Sequence, residues 1–389
     1  MTDLLDPPSA AVPPDDAEGM AVEPVTQWDL FITRLRRHRL AMISAVILLV
    51  VMLVSFPYAW LAKCDKNAVT CDVGGNPGGL FVKLVIAAAV TALFVYFSRT
   101  VRIKGLLRLA ALVAIWGLAF WLARADLPQL WDFTQGLVDD NGRRLVNIAP
   151  RSGLLFGTDE IGRDVLSRVV HGGQASLTVG LVTGLLVASL GTVVGSLAGY
   201  YPGIVDQALM RFTDLILGLP LLPVAIVVGR LLPELPFLPA WMKSGPWGIA
   251  FLLGFLLWGS LARIVRAEFL SLREKEFVEA ARAAGANDRR IIFRHILPNA
   301  MSPIIVQTTL IIGTAIIIEA ALSFLGFGVR PPTPTWGAMA ASGAGVAVRG
   351  FWWELVFSGA ALVSTVLAVN FIGDGLRDAL DPTQTIERR

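Results

Sequence analysis

Few residues in this chain could do chemistry, and their types and spacing exclude most of the chemistry a protein of this size might perform. The three histidines, His38, His171 and His295, lie far apart, and neither HExxH nor CxxC occurs. No metal-ligand set is therefore spelled out. No Gly-Lys dipeptide occurs either, which rules out a GxxxxGK[ST] loop for nucleotide phosphates. No catalytic or metal site is expected, and no cofactor bound by the chain itself. The informative polar groups fall in a few places. Glu276–Asn299 is a polar stretch between two apolar runs, and Gly157–Arg168 carries carboxylates and guanidinium groups close enough to pair. Glu319 is a carboxylate well inside an apolar run. Burying it in hydrocarbon is costly, so it must face a bundle interior, a partner or water. Two roles stand for it, lining or latching a path through the bundle, or a polar contact that fixes helix orientation. Cys64 and Cys71 are separated by six residues, so a disulfide is sterically possible, with two free thiols as the alternative.

The elements that must position these groups are legible locally. In Glu276–Asn299, Phe277, Ala280, Ala281 and Ala284 recur at helical spacing and give one smooth face of small side chains, flanked by Glu276, Glu279 and Arg282. Gly285 fits the position just past a helix C-terminus, Asn287 or Asp288 can cap a second short helix, and Pro298 fixes the backbone where the next apolar run begins. The stretch is expected to form a helix, a tight glycine turn and a second helix leading into a membrane span. Around Gly157-Thr158-Asp159, a turn and cap are expected, with Gly162, Arg163, Asp164 and Arg168 placing paired charges on a short helix. Gly180/Gly184, Gly191/Gly195 and Gly195/Gly199 have Gly-x3-Gly spacing, which lets helices approach closely in lipid. Packing is the favoured reading of that row, and a glycine-lined pore wall the other.

With 389 residues, 55% of them apolar, 16% charged and a mean hydropathy of +0.65, the chain is expected to be an all-α polytopic membrane protein without a large soluble domain. Eight runs are long enough to cross a hydrocarbon core of about 30 Å: 39–60, 80–98, 105–123, 176–199, 211–232, 247–267, 301–324 and 353–373. Arg34, Arg36, Arg37 and Arg39 before the first run, and the basic residues around Glu276–Asn299, place both termini and that loop in the cytoplasm by the positive-inside rule. The net charge of +3 reflects this loop asymmetry and implies no nucleic-acid partner. Residues 1–27 hold acidic residues and prolines but no Lys or Arg, the wrong charge for a signal-peptide n-region.

Glu279-Ala280-Ala281, then Gly285, then Leu297-Pro298 resembles the EAA signature loop of importer-type ABC permeases, with His295 where that signature usually has isoleucine and Ile296 beside it. Further segments are similar to the dipeptide/oligopeptide/nickel class, specifically the second, C-type subunit of its permease pair. They are Gly157-Thr158-Asp159 through Arg168, Gly199-Tyr200-Tyr201-Pro202-Gly203, Glu319 through Gly326, and Gly373 through Pro382. The resemblance covers about 150–382 and leaves out 61–130.

By that resemblance, Glu279, Ala280, Ala281, Ala284, Gly285, Leu297 and Pro298 couple the chain to an ATPase. ATP and Mg²⁺ would sit on two partner ABC ATPase subunits, and the other partners would be a homologous permease, an external solute-binding protein and the lipid of a bacterial inner membrane. The implied solute is a di- or oligopeptide, with nickel or another small solute as the alternative. An ion-coupled secondary transporter is the competing class, and Glu319 alone is thin provision for ion coupling. The implied organisation has a disordered acidic leader at 1–33 and a first transmembrane helix at 34–60. An external loop with an inserted hairpin follows at 61–130, then an external segment at 131–175. The core transmembrane domain spans 176–373 with its coupling loop at 268–299, and 374–389 is a cytoplasmic tail.

Overall fold

An apolar segment in lipid must satisfy its own peptide groups, so the long runs become helices. The computed structural model of the chain describes residues 33–36, 38–58, 63–64, 70–72, 130–131, 136–138, 142–152, 154–236, 238–243 and 245–380. The helices that matter here are α1 (Arg39–Leu53), α2 (Val165–Tyr200), α3 (Ile204–Leu217), α4 (Leu221–Leu231), α5 (Trp247–Arg273), α6 (Glu276–Ala283), α7 (Asp288–Arg290), α8 (Leu297–Phe324), α9 (Trp336–Ala347) and α10 (Trp353–Leu380). Helices α7 and α8 are joined by a π-helical turn, Ile291–Ile296. Among the described residues five helical stretches are long and apolar enough to span a membrane, and α3 with α4 makes a sixth if that bent pair is one span. The expected hairpin runs 80–98 and 105–123 lie outside the described residues.

Several expectations are corrected in detail. The run 211–232 is not one straight span: α3 and α4 meet at 83°. Pro220 stands at the break, where it lacks an amide hydrogen and biases Leu219 away from helical geometry. The span expected at 176–199 begins eleven residues earlier, at Val165, so the helix takes in the last eleven residues of the external segment 131–175. Arg168 and His171 made its first turns look too polar to be part of a span. The last helix continues past 373 to Leu380, and α9 is a helix that no apolar run announced. The membrane part is all helical, but three short strands, β1 (Lys63–Cys64), β2 (Thr70–Asp72) and β3 (Leu130–Trp131), pair antiparallel in that order. Cys64 and Cys71 are register partners across β1 and β2.

Helix α2 is the centre of the bundle and packs against α5 and α8, while α10 packs on α1, α8 and α9. Asp164 caps it, accepting from the Ser167 amide at 2.7 Å, and no proline interrupts it before Pro202. Its glycine row explains the packing. A Cβ at Gly180 or Gly184 would meet Ile316 or Ile312 of α8 at 2.7 and 2.4 Å, and one at Gly191 would meet Leu261 of α5 at 2.9 Å. At Gly195 it would lie 2.5 Å from the Ala262 carbonyl, and at Gly199 2.7 Å from the Arg266 carbonyl. The row is a packing surface, one end turned to α8 and the other to α5.

Those contacts differ in how far they can yield. At Gly180 the obstacle is an isoleucine side chain, but at Gly195 it is backbone. Gly195→Val should therefore force α2 and α5 apart and cost about 1–3 kcal/mol, in the range of an overpacked core. The thermal midpoint of the detergent-solubilised protein is expected to fall clearly for Gly195→Val and much less for Gly180→Ala.

Candidate functional site

The polar loop between α5 and α8 folds from local rules. In α6, Val278 is fully buried and joins a core of Tyr200, Phe269, Ile291, Ile292 and Ile296. This single inward anchor turns the rest of the helix outward. Phe277 is 40% exposed, and Glu279, Ala280, Ala284 and Gly285 are exposed, while Ala281 is half-buried on the flank. The helix ends with the Ala286 amide donating to the Ala281 carbonyl at 3.0 Å and the Ala284 amide to Ala280 at 3.0 Å. Gly285 closes the turn at φ +79°, and nothing lies within 4 Å of where its Cβ would be. Glycine is required there by conformation, not by space.

Asn287, not Asp288, caps the next turn, its Oδ1 accepting from the Arg290 amide at 2.9 Å. The π-helical turn then places an extra residue just ahead of Pro298, which has no amide hydrogen to return to the helix. Ile296 is fully buried, Leu297 and His295 are half-buried, and Pro298 is exposed. The isoleucine beside His295 thus fills the core while His295 stays at its edge, its carbonyl accepting from Asn299 Nδ2 at 2.6 Å.

At the opposite end of α2, Gly157–Arg168 is built into the fold rather than onto its surface. Thr158 donates its hydroxyl to the Leu145 carbonyl and accepts from the Ile148 amide at 2.8 Å. Asp159, 1% exposed, accepts from the Ile161 and Arg163 amides at 3.0 and 2.8 Å, from Arg163 Nε at 2.7 Å, and from the Arg168 guanidinium. Gly157 and Gly162 have φ of +73° and +87°, which shape the turn. Helix α10 docks on this turn through Trp353, whose Nε1 donates to the Thr158 carbonyl at 2.8 Å. Glu354, 1% exposed, lies 3.8 Å from Arg168. The charges expected to pair on a short helix instead link the cap of a 36-residue helix to the start of α10. Trp353 and Glu354 were not found from sequence because their partners lie about 190 residues away. Burial pushes the Asp164 carboxyl up to about 6, with the Asp159 charge adding to the rise and the Ser167 and Leu166 amides opposing it.

Glu319 is fully buried in α8. Its carboxylate accepts from Ser176 Oγ of α2 at 3.1 Å and Ser323 Oγ at 2.6 Å. Thr335 Oγ1, at the cap of α9, donates to Ser323 Oγ at 3.2 Å, and the Trp336 amide donates to Ser176 Oγ at 3.4 Å. The residue therefore ties together α2, α8 and the start of α9.

Spanning helices around one central helix, with an exposed small-residue loop helix and a knitted opposite end, define a polytopic membrane protein. Comparison with known proteins agrees. The family model described as "Binding-protein-dependent transport system inner membrane component" matches residues 191–386, and that of the "N-terminal TM domain of oligopeptide transport permease C" matches 26–70. Residues 71–190, which include the expected insertion, are matched by neither. A protein of Brucella suis biovar 1 named as a peptide transport system permease is 44% identical over 233 residues, 60% of this chain and 75% of that protein. The dipeptide transport system permease protein DppC of Alkalihalophilus pseudofirmus is 44% identical over 230 residues, 58% of this chain and 71% of that one. The chain belongs to the family of binding-protein-dependent transport system inner membrane components, the permease subunits of ABC importers.

The raised Asp164 pKa has a checkable sign. A carboxyl whose folded pKa lies above its unfolded value near 3.8 contributes stability at low pH, and that contribution is lost as pH rises through about 6. Asp164→Asn keeps a capping oxygen but cannot ionise, so the thermal midpoint of this variant should vary less between pH 4 and 7 than that of the parent. Asp164→Ala should lose the cap at every pH, about 1 kcal/mol. Asp159→Ala, which strands Arg168 in a buried site, should cost about 3–5 kcal/mol and cut the folded yield sharply.

Proposed function

We propose that this chain is the second of two paired permeases in an ATP-driven peptide importer, and that hydrolysis takes place on separate ATPase subunits. The observation that carries the reading is the exposed face of α6. A helix of eight residues does not present phenylalanine and alanine to water for its own stability, and Val278 holds this one with Phe277, Ala280 and Ala284 outward. Side chains that small let another protein's surface approach closely. Glu279 at the edge is placed to pair with a basic or amide group, and the turn at Gly285 and the Leu297-Pro298 junction fix the angle at which α6 leaves the bundle.

The docking partner in this reading is an ABC ATPase, which brings ATP and Mg²⁺; the permease itself holds no nucleotide. A homologous permease completes the path, and an external solute-binding protein delivers the solute. The names of the relatives support peptides as that solute. The basic residues Arg34, Arg36, Arg37 and Arg39, with those around α6 and α7, support a cytoplasmic-membrane orientation with both termini and the α6 loop in the cytoplasm. A docked ATPase biases the permease only if its contact with α6 differs between the inward- and outward-open states. Closure of the ATPase pair would supply that difference by displacing α6 relative to the spans.

Affinity purification of the solubilised complex, followed by uptake of a labelled dipeptide into proteoliposomes containing ATP, tests this reading. Two ATPase chains should co-purify with the wild type, and uptake should stop without ATP. Gly285→Val forces a β-branched residue to φ +79°, at a cost of about 1–2 kcal/mol or more, and should lose the ATPases or the uptake. A wild-type protein that purifies alone and responds to ionophores instead of ATP would refute it.

A further inference from the structure

The loop that carries α6 continues by covalent connection only into α5 and α8, yet it also grips a third helix. Asp288, the first residue of α7, accepts two hydrogen bonds from adjacent tyrosines at the end of α2: Tyr200 Oη donates to Oδ1 at 2.8 Å and Tyr201 Oη to Oδ2 at 3.1 Å. From the other flank of the loop, Arg273 at the end of α5 donates from Nη1 to the Tyr200 carbonyl at 3.1 Å. The Arg282 charge on α6 also acts on the Tyr200 hydroxyl. The Tyr200 ring is buried in the same core as Val278, Ile291, Ile292 and Ile296, whereas Tyr201 and Asp288 stand at the surface. The ring of Tyr200 thus packs while its hydroxyl reaches the loop, and Tyr201 contributes through its hydroxyl from the outer side.

What this grip acts on is unusual. Helix α2 runs uninterrupted for 36 residues, about 54 Å at helical rise, well beyond a hydrocarbon core of about 30 Å. Its far end is held by the Asp164 cap, by Arg168 against Asp159 and Glu354, and by close packing of Gly172 and Gly173 on Trp336. We propose that Tyr200 and Tyr201, acting through Asp288, are the positioning residues that couple the α6 loop to α2, so that displacement of the loop reaches the opposite side of the membrane through one rigid helix. The inference rests on α6 being the ATPase-docking element. It adds that the signal leaves the loop sideways into α2 as well as along α5 and α8.

The test uses the whole complex, with both permeases, the ATPases and the binding protein, in proteoliposomes with a labelled dipeptide as probe. The quantity read is ATP hydrolysed per dipeptide taken up, which a purely structural role for the hydroxyls would not move. Tyr200→Phe and Tyr201→Phe each keep the ring and lose one hydrogen bond. Each should raise the ratio about fivefold and the pair about twentyfold, the scale of one and two such bonds in a coupling equilibrium. Asp288→Asn should raise it as well, and adding Tyr201→Phe to Asp288→Asn should add less than Tyr201→Phe does in the wild type, because the two act through one contact. A ratio within twofold of the wild type in the double phenylalanine variant, or fully additive effects of Asp288→Asn and Tyr201→Phe, would overturn the proposal. If the double variant purifies without ATPases, the single Tyr201→Phe, whose hydroxyl is the more exposed, decides by the same twofold limit. Wild-type vesicles without ATP-dependent uptake would sink the importer reading and this inference with it, whereas active vesicles with an unmoved ratio sink the inference alone.

Discussion

Water drives helices together by expelling apolar surface, but lipid tails are as apolar as leucine, so a membrane bundle must find its cohesion in close contact. Here that contact is the approach of α2 to α8 and α5 along a row of five glycines. At Gly195 the nearest neighbour is main chain, and at Gly199 main chain lies just behind the Phe269 Cβ, so the helices there approach almost backbone to backbone. The rest of the structure depends on this. The Ser176–Glu319 bond, the seating of Trp336 against Gly172 and Gly173, and the burial of Tyr200 beside Phe269 all require α2 at that distance. Dispersion gained over many atom pairs at short range holds the bundle, and the polar contacts then select one register for it.

The buried charges follow the same logic. Asp159 satisfies both carboxylate oxygens with amides and guanidinium groups, so its burial is compensated within the motif. Arg168 divides its charge between Asp159 and Glu354 and thereby joins α2 to α10. A hydrocarbon contact could hold these elements as tightly, but it would tolerate sliding. An ion pair among buried groups does not, because misalignment leaves a charge unpaired in a medium that solvates it poorly. The cluster is better understood as an alignment device than as a source of net stability.

What was legible in the sequence was what is decided within a few residues. The α6 helix, the Gly285 turn and the capped second turn follow from spacing and cap chemistry, and the structure has each of them, as it has helices over the apolar runs among the described residues, with 211–232 broken. The exposure of Phe277 beside the burial of Val278 was not legible, because one apolar residue cannot be told from its neighbour until the core is assembled. The start of α2 was missed because Arg168 and His171 look like surface residues until Asp159 and Glu354 are brought to them. The break at Pro220 was written plainly but lay hidden in an otherwise apolar run. Glu319 announced itself as costly, but the hydroxyl that meets it from outside its own helix, Ser176 of α2, lies 143 residues away. The tyrosine pair at the end of α2 could be seen as a motif, and its partner Asp288, 87 residues on, could not.

The small sheet carries one more implication. Strand β2 ends at Asp72 and β3 begins at Leu130, and their pairing brings positions far apart in sequence side by side. Between two strand ends already held together, each doubling of the connecting length costs only about 0.6 kcal/mol of closure entropy. For the engineer, the same pairing marks a natural port in the permease, where a reporter or an affinity module could take the place of the native connection.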